Sequence, residues 1–458
     1  MQMLSLEFGD LATASPDQLL CESPITTQPF IHLGDSEYAI PILGLPNSFF
    51  LDIAENLLQN DKALFEKYST RRSKFLEAEI VSILKTCLPD ARIESCVKWT
   101  DPTSGKTFES DVLALIGSFA IIVEAKSHRV SRSARRGSDI RLDRELERLV
   151  DAPAEQAERL AKLLESTDTQ IPMTNERDQE IQIDASKIKR VICISVTLDT
   201  IPLPSLCWKT ISKATSIKDN RRPTITISLS DLIVVAEVLN STSDILHYLW
   251  RRSEWEERVE YFGDEEDILV YYLSNGLTPK KSPPDSPQPK IRLHGLSDEL
   301  RRYFMAEWVG LDPLPAKPKR ILTNWWKNLV ARVQKASHAE KWDILCSLLD
   351  VSFVDQQRME RELSKVVSQV KLRGNEHTED SVLFDGCANT ESDCAIVLFA
   401  YRELPNFDKH HRTKNLMFQA EEKLGVKNVL VLGFDVDDLV VPYSMLAYSQ
   451  PRSQGGST

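Results

Sequence analysis

The 458-residue chain has no run of 18 or more uncharged apolar residues, which excludes an ordinary membrane-spanning helix. Its first residues, MQMLSLEFGDLATASPDQLL, lack the basic flank and apolar core of a secretory signal, so a cytoplasmic location is expected. The eight cysteines include no Cys-x-x-Cys pair, and several lie in apolar text such as 191-VICISV-196. They read as reduced, mostly buried thiols, and a zinc knuckle is excluded. A Walker A loop, a Rossmann glycine pattern, a Gly-x-Ser-x-Gly elbow and a His-Glu-x-x-His motif are also missing, which removes the usual nucleotide, hydrolase and metalloprotease signals. There is no fixed-period repeat or heptad run. A net charge of −12 argues against a surface coated for nucleic acid, while leaving a local basic patch open.

The remaining composition, 42% hydrophobic and 27% charged, is that of a globular protein long enough for about two to four domains. Residues 1–47 carry Pro24, Pro29, Pro41 and Pro46 between short apolar pieces and read as an irregular arm or small strand element. Apolar spacing predicts helices from 48 to 69 and again over 71-RRSKFLEAEIVSILKTCLPD-90, where Leu76, Ile80, Ile83, Leu84 and Cys87 form one stripe. Strands are predicted at ARIESCVKW, FESDVLALI and SFAIIVEAKS, followed by a basic loop over 128–140, a helix from about 142 to 165, a polar loop over 166–186 and a strand at KRVICISVTLD. One strand and several helices are predicted for 224–276. Five prolines in 279-PKKSPPDSPQP-289 mark a linker, 279–296, since proline continues neither regular ladder. Beyond it lie a helical region, 297–375, and a small α/β region, 376–458. The whole is expected to be an α/β fold.

The stretch 108-FESDVLALIGSFAIIVEAKS-127 places Glu124 and Lys126 at the end of an apolar strand, with Asp111 near the start of the strand before it. Charges beside a core cost roughly several kcal/mol each unless paired or metal-bound. With twelve residues between Asp111 and Glu124, a hairpin brings both acids to one end of a sheet, and alternation puts Glu124 and Lys126 on the same face. Two converging carboxylates suit Mg²⁺ or Mn²⁺, and an adjacent lysine can orient water or stabilise charge on a phosphate in the transition state. Glu77, on the preceding helix, is a candidate third ligand, with Glu79 as competitor. From Lys126 to Arg148 there are eight Lys or Arg and four acids. Arg129, Arg132, Arg135 and Arg136 are therefore candidate phosphate contacts, against the default of a solvated charged loop.

Asp111, then Glu124-Ala125-Lys126 after an apolar run, preceded by a helix bearing Glu77, resembles the PD-(D/E)XK phosphodiesterase superfamily over residues of about 70–200. The helical 155-EQAERLAKLLE-165 is similar to the later helix of RecB-like members, in which a glutamine at the position of Gln156 completes the site. Ser110 stands where the family often has proline, and Leu160 where RecB-like members often have tyrosine. The resemblance implies a restriction-endonuclease-like mixed sheet flanked by helices within 48–278. It also implies metal bound by Asp111 and Glu124, catalysis by Lys126, and metal-dependent hydrolysis of DNA, most simply as an endonuclease. RNA stays open as a substrate. The layout resembles prokaryotic restriction or antiviral defence effectors, for which a second copy of the chain or a defence-system protein is the expected partner. The alternatives are an incidental ion pair on a surface hairpin, and a catalytically silent nuclease-like module that binds nucleic acid or protein. Three other features read as structural: His410 and His411 as polar surface, Trp325 and Trp326 as partly core, and 263-GDEEDI-268 as the acidic first turn of a helix.

Overall fold

The computed structural model describes residues 1–12, 23–135, 138–201, 206–214, 221–278, 289–373, 379–384, 394–426 and 428–449. The fold is α/β. Near the N-terminus three short strands, β1 (Ser5–Leu6), β2 (Phe30–Gly34) and β3 (Glu37–Ala39), form a small sheet. Helix α1 (Phe50–Leu58) and the 26-residue α2 (Lys62–Cys87) follow. Asp61 caps α2 by accepting from the amides of Ala63 and Leu64, satisfying donors that a helix start leaves unpaired. The helix ends just before Pro89, as its sequence requires.

Next come β4 (Arg92–Thr100), β5 (Thr107–Ile116) and β6 (Phe119–Lys126), a short helix α3 (Arg132–Arg135), α4 (Asp139–Leu146), a π-helical turn at Glu147–Asp151, and α5 (Ala152–Ser166). Strands β7 (Gln170–Thr174), β8 (Glu180–Asp184) and β9 (Arg190–Thr197), helix α6 (Trp208–Ala214) and strand β10 (Ile225–Ser228) complete the central unit. The central sheet runs β10-β9-β6-β5-β4-β7-β8. The β4, β5 and β6 pairings are antiparallel, whereas β9 joins β6 in parallel after α5 crosses over.

Alternation along β5 and β6 assigns the two faces of this sheet. Val112, Ala114, Ile121 and Val123 face the core built on Leu76, Ile80 and Leu84 of α2. Leu113, Ala120 and Ile122 face Ala157, Leu160, Ala161 and Leu164 of α5. Both strands are therefore buried on both sides and read as near-continuous apolar text. Each fully buried Leu or Ile contributes about 1.5–3 kcal/mol. The β5–β6 turn is Gly117-Ser118, with Gly117 at φ +57°, where a Cβ would stand 2.8 Å from Trp342.

The polar piece 166–186, expected as a loop, is instead the β7–β8 hairpin on the sheet edge. Ile171, Met173, Ile181 and Ile183 are buried on one side and polar residues alternate on the other, a half-buried pattern whose polar half dominates a composition reading. The basic segment 128–140, also expected as a loop, contains α3 and the start of α4.

Helices α7 (Leu229–Val238), α8 (Thr242–Arg258) and α9 (Glu265–Asn275) follow, with β11 (Glu260–Phe262) before α9. Asp264 caps α9 through the Asp267 amide, so the acidic run at 263–268 is a helix start as expected. Within the expected linker, residues 279–288 lie outside the described residues, while β12 (Lys290–Arg292) pairs in parallel with β11. Helices α10 (Asp298–Val309), α11 (Asn324–Lys335), α12 (Lys341–Leu349) and α13 (Phe353–Arg373) lead to the last sheet. That sheet holds β13 (Glu379–Phe384), β14 (Cys394–Tyr401), β15 (Asn428–Asp435) and β16 (Met445–Ser449), with α14 (Asn406–Leu424) crossing between β14 and β15. His410 and His411 lie exposed on α14, and Trp326 is fully buried.

The main core continues across the proline-rich segment, from Leu76 to Tyr443. Asp343 of α12 pairs with Arg190 of β9 and accepts from the Ser118 hydroxyl at 2.8–2.9 Å. Arg190 also stacks on Phe119 and Trp250. No described helix is long and apolar enough to cross a membrane, and none of the described cysteines is in a disulfide.

Candidate active site

Strand register creates the site. Val112 lies opposite Val123 in the last pair of the β5–β6 ladder, and Asp111 and Glu124 are the residues next beyond it on the two strands. The Ala125 amide donates to Asp111 Oδ2 at 2.7 Å, fixing that carboxylate against the end of β6. Ala125 turns into the α2-side core. Glu124 and Lys126 take the opposite, α5-side face, as alternation requires. There Lys126 Nζ donates to Gln156 Oε1 at 2.7 Å and stands 3.5 Å from Glu124 Oε2. Gln156 lies in the second turn of α5, which Pro153 helps to start. Thus four of the residues singled out from sequence, Asp111, Glu124, Lys126 and Gln156, meet at the carboxyl end of β6.

Glu124 is 1% exposed, and its Oε1 has no hydrogen-bond partner among the described residues. Burial first and Asp111 second push its carboxyl up to about 8, against the opposing effect of Lys126 and the Ser110 hydroxyl. A buried carboxylate facing a second one is disfavoured as an anion until a cation joins the pair. Glu77 sits on the flank of α2, about 100° around the helix from the buried Leu76. Its carboxyl is raised by burial and then by Asp111, with smaller contributions from Glu109 and Glu176. No group of three or more His, Cys, Asp and Glu side chains able to hold a metal ion is present among the described residues. The donor set is therefore the Asp111–Glu124 pair, with Glu77 beside it. An unpartnered buried carboxylate oxygen and two like charges fit a hard divalent cation.

The linked stability effect has a definite sign. Glu124 holds its proton more tightly folded than unfolded, so stability falls as pH rises through the window from 4.5 to about 8. Glu124→Gln keeps the shape without the charge. In EDTA it is expected to melt above wild type by on the order of a few °C at about pH 9, and nearly with it at about pH 4. A lower midpoint for Glu124→Gln at the alkaline end would show that the carboxylate is favourably held.

The basic residues after Lys126 have mixed placements. Arg129 is tied to three carboxylates: Asp52 at 3.0 Å and Glu55 at 2.7 Å from α1, and Asp199 at 2.6 Å just past β9. Burial opposes its charge, but these acids hold it. Glu55 also takes Arg72 of α2 at 2.5 Å. Arg129 thus clamps the exit of β6 onto α1, and its guanidinium is not offered to a phosphate. Arg132 opens α3, Arg135 ends it and lines a cleft of about 350 Å³ with Ser127, His128 and Arg72, and Arg136 lies outside the described residues. His128 bonds Glu145 of α4 at 2.7 Å.

Sequence reading missed the carboxylates that hold Arg129. Asp52 and Glu55, one helical turn apart on α1, were the available signal, because an acid on an apolar helix face needs a partner. Family models, curated proteins and solved structures give no match to this chain.

Proposed function

We propose that the chain is a divalent-cation-dependent phosphodiesterase that hydrolyses nucleic acid, DNA in the first instance. The observation that carries this is the placement of Lys126, its ammonium held between Gln156 and Glu124, with the Asp111 carboxylate fixed beside them by the Ala125 amide. A lysine fixed by a neutral carboxamide acceptor keeps its remaining donors directed at a substrate. The element order supports a restriction-endonuclease-like core: helix α2, three antiparallel strands, helix α5, then β9 parallel to the third strand.

Asp111 and Glu124 would hold Mg²⁺ or Mn²⁺, with Glu77, whose carboxyl senses Asp111, as the candidate third carboxylate. When bound, such an ion lowers the pKa of its water and polarises a phosphate oxygen. The chain's own residues do the rest. Lys126 hydrogen-bonds the attacking water or a non-bridging oxygen and balances the charge that builds on the phosphate. Gln156 keeps that ammonium in place, and the apolar wall of β5 and β6 lowers the local dielectric, which strengthens both interactions.

A second reading, a catalytically silent nuclease-like module that binds nucleic acid or a partner protein, draws support from the absence of a three-ligand group among the described residues. The two separate in one experiment: linear DNA and matched RNA incubated with the full chain in Mg²⁺, Mn²⁺ or EDTA. Cation-dependent cleavage leaving phosphorylated ends is the expected result. DNA retained in a gel shift, yet uncut in every cation, would instead establish the binding module. A place among restriction or antiviral defence effectors is the biological setting this activity would suit.

A further inference from the structure

Helix α2 carries two chemically different flanks. Glu77 lies about 100° to one side of the buried Leu76, toward Asp111; Phe75 lies about 100° to the other side, with Tyr68 and Arg71 along the same flank. That second flank borders a cleft of about 390 Å³ whose apolar lining is Leu51, Tyr68, Phe75 and Leu198. Phe75 is 53% and Leu51 65% exposed. Leu198 is the first residue past β9, and its amide donates to the Lys126 carbonyl at 3.1 Å. The cleft therefore begins one residue from the candidate catalytic strand end, on the α2 side of the sheet.

The polar rim narrows the ligand. Arg72, Arg129 and Asp199 line the same cleft, but the guanidiniums are already neutralised by Asp52, Glu55 and Asp199. The cleft is not an anion hole. It presents flat apolar surface, guanidinium N–H donors and one carboxylate acceptor. A neutral planar heterocycle with both donors and acceptors on its edge matches this set. Arg71, exposed and without an ion-pair partner among the described residues, stands on the same flank as the one uncompensated cation for a neighbouring phosphate. Aromatic faces bind bases in this way without demanding a sequence.

We infer that this cleft takes an unpaired nucleobase of the nucleic-acid substrate, stacked on Phe75, so that the preferred substrate is single-stranded or locally opened. The inference rests on the nuclease reading for its substrate, and its test is independent of cleavage.

The full chain in EDTA is titrated with a single-stranded oligonucleotide carrying 2-aminopurine, with its blunt duplex, and with the same strand bearing an abasic site at the probe's neighbour. Wild type is expected to prefer the single strand, to quench the probe by stacking, and to weaken on base removal. Phe75→Ala is expected to lose about tenfold in single-strand affinity together with the quenching, leave duplex binding unchanged, and be rescued by Phe75→Trp. Unchanged quenching and affinity in Phe75→Ala, or no preference for the single strand in wild type, would overturn the inference. Quenching that persists in a chain that cuts nothing in Mg²⁺ or Mn²⁺ would support the cleft while removing the nuclease. Cleavage without the Phe75 effect would do the reverse.

Discussion

Lys126→Ala is expected to lower the rate of phosphodiester cleavage by about 10²–10³-fold, the usual effect of deleting one preorganised charge-stabilising donor. Two losses combine in this variant. The substrate loses the ammonium that Gln156 positions at 2.7 Å. Glu124 also loses the cation 3.5 Å away that favours its ionised form, so its carboxyl is pushed further above about 8 and it takes up a divalent cation less readily at neutral pH. The fold is not expected to suffer, because the Lys126 side chain is 20% exposed and lies at a strand end. The check is a single-turnover rate with saturating Mg²⁺ beside a thermal melt and a DNA gel shift. Retained melting and binding with a lost rate is the expected combination. Lys126→Arg is not a conservative replacement, since a planar fork cannot occupy the point-charge position between Gln156 and Glu124.

The largest expected effect on stability lies far from that site. Asp350→Ala is expected to cost about 3–5 kcal/mol, the range for breaking one side of a buried ion pair. Asp350 follows α12 and faces α8, where Arg251 Nε donates to it at 2.6 Å and His247 Nε2 lies at 2.8 Å. Burial works to raise the Asp350 carboxyl, yet Arg251 and His247 hold it well below the usual carboxylate range. Burial keeps His247 neutral, its imidazole pushed down to about 3. Removing Asp350 strands the Arg251 guanidinium, 4% exposed, in a core with its other carboxylate, Glu254, on the same helix. Denaturant melts of Asp350→Ala, Arg251→Met and the double variant provide the check. The double variant should recover part of the loss, because it removes the stranded guanidinium and leaves only Glu254, at the less buried end of the pair, without its partner. Purely additive losses would mean the pair does not act as a unit. Because this network joins the central sheet's helices to the region after the proline-rich segment, truncation at that segment is expected to expose apolar core as well as strip Arg251 of its partner.

How much of this was legible beforehand depends on the sequence range of each interaction. Asp111, Glu124 and Lys126 lie within one hairpin, where strand alternation and a two-residue turn fix which side chains meet, so sixteen consecutive residues carry the geometry. Gln156 was found through the resemblance and not through periodicity; its contact with Lys126 spans thirty residues and depends on how α5 packs on the sheet. The role of Arg129 was not legible from its own segment, and its one distant signal was the pair of acids on α1. Its partners lie 74 and 70 residues away, at Glu55 and Asp199, and a basic loop gives no local sign of buried acids elsewhere. Asp343 and Asp350 are similar: acids on and just after a helix buried along nearly its whole length, whose cations come from β9 and α8. The β7–β8 hairpin did carry a local signal in the alternation of Ile171 with Met173 and of Ile181 with Ile183, obscured by the polar residues between them.

The most direct measurement is cleavage of one supercoiled circular DNA by wild type and Glu124→Gln, each in Mg²⁺, in Mn²⁺ and in EDTA, with folding of both confirmed beforehand. Nicking or linearisation by wild type in either cation, absent in EDTA and absent from Glu124→Gln, is the expected result. Cutting that survives Glu124→Gln, or that EDTA does not stop, would contradict a cation-dependent centre built on Asp111, Glu124 and Lys126.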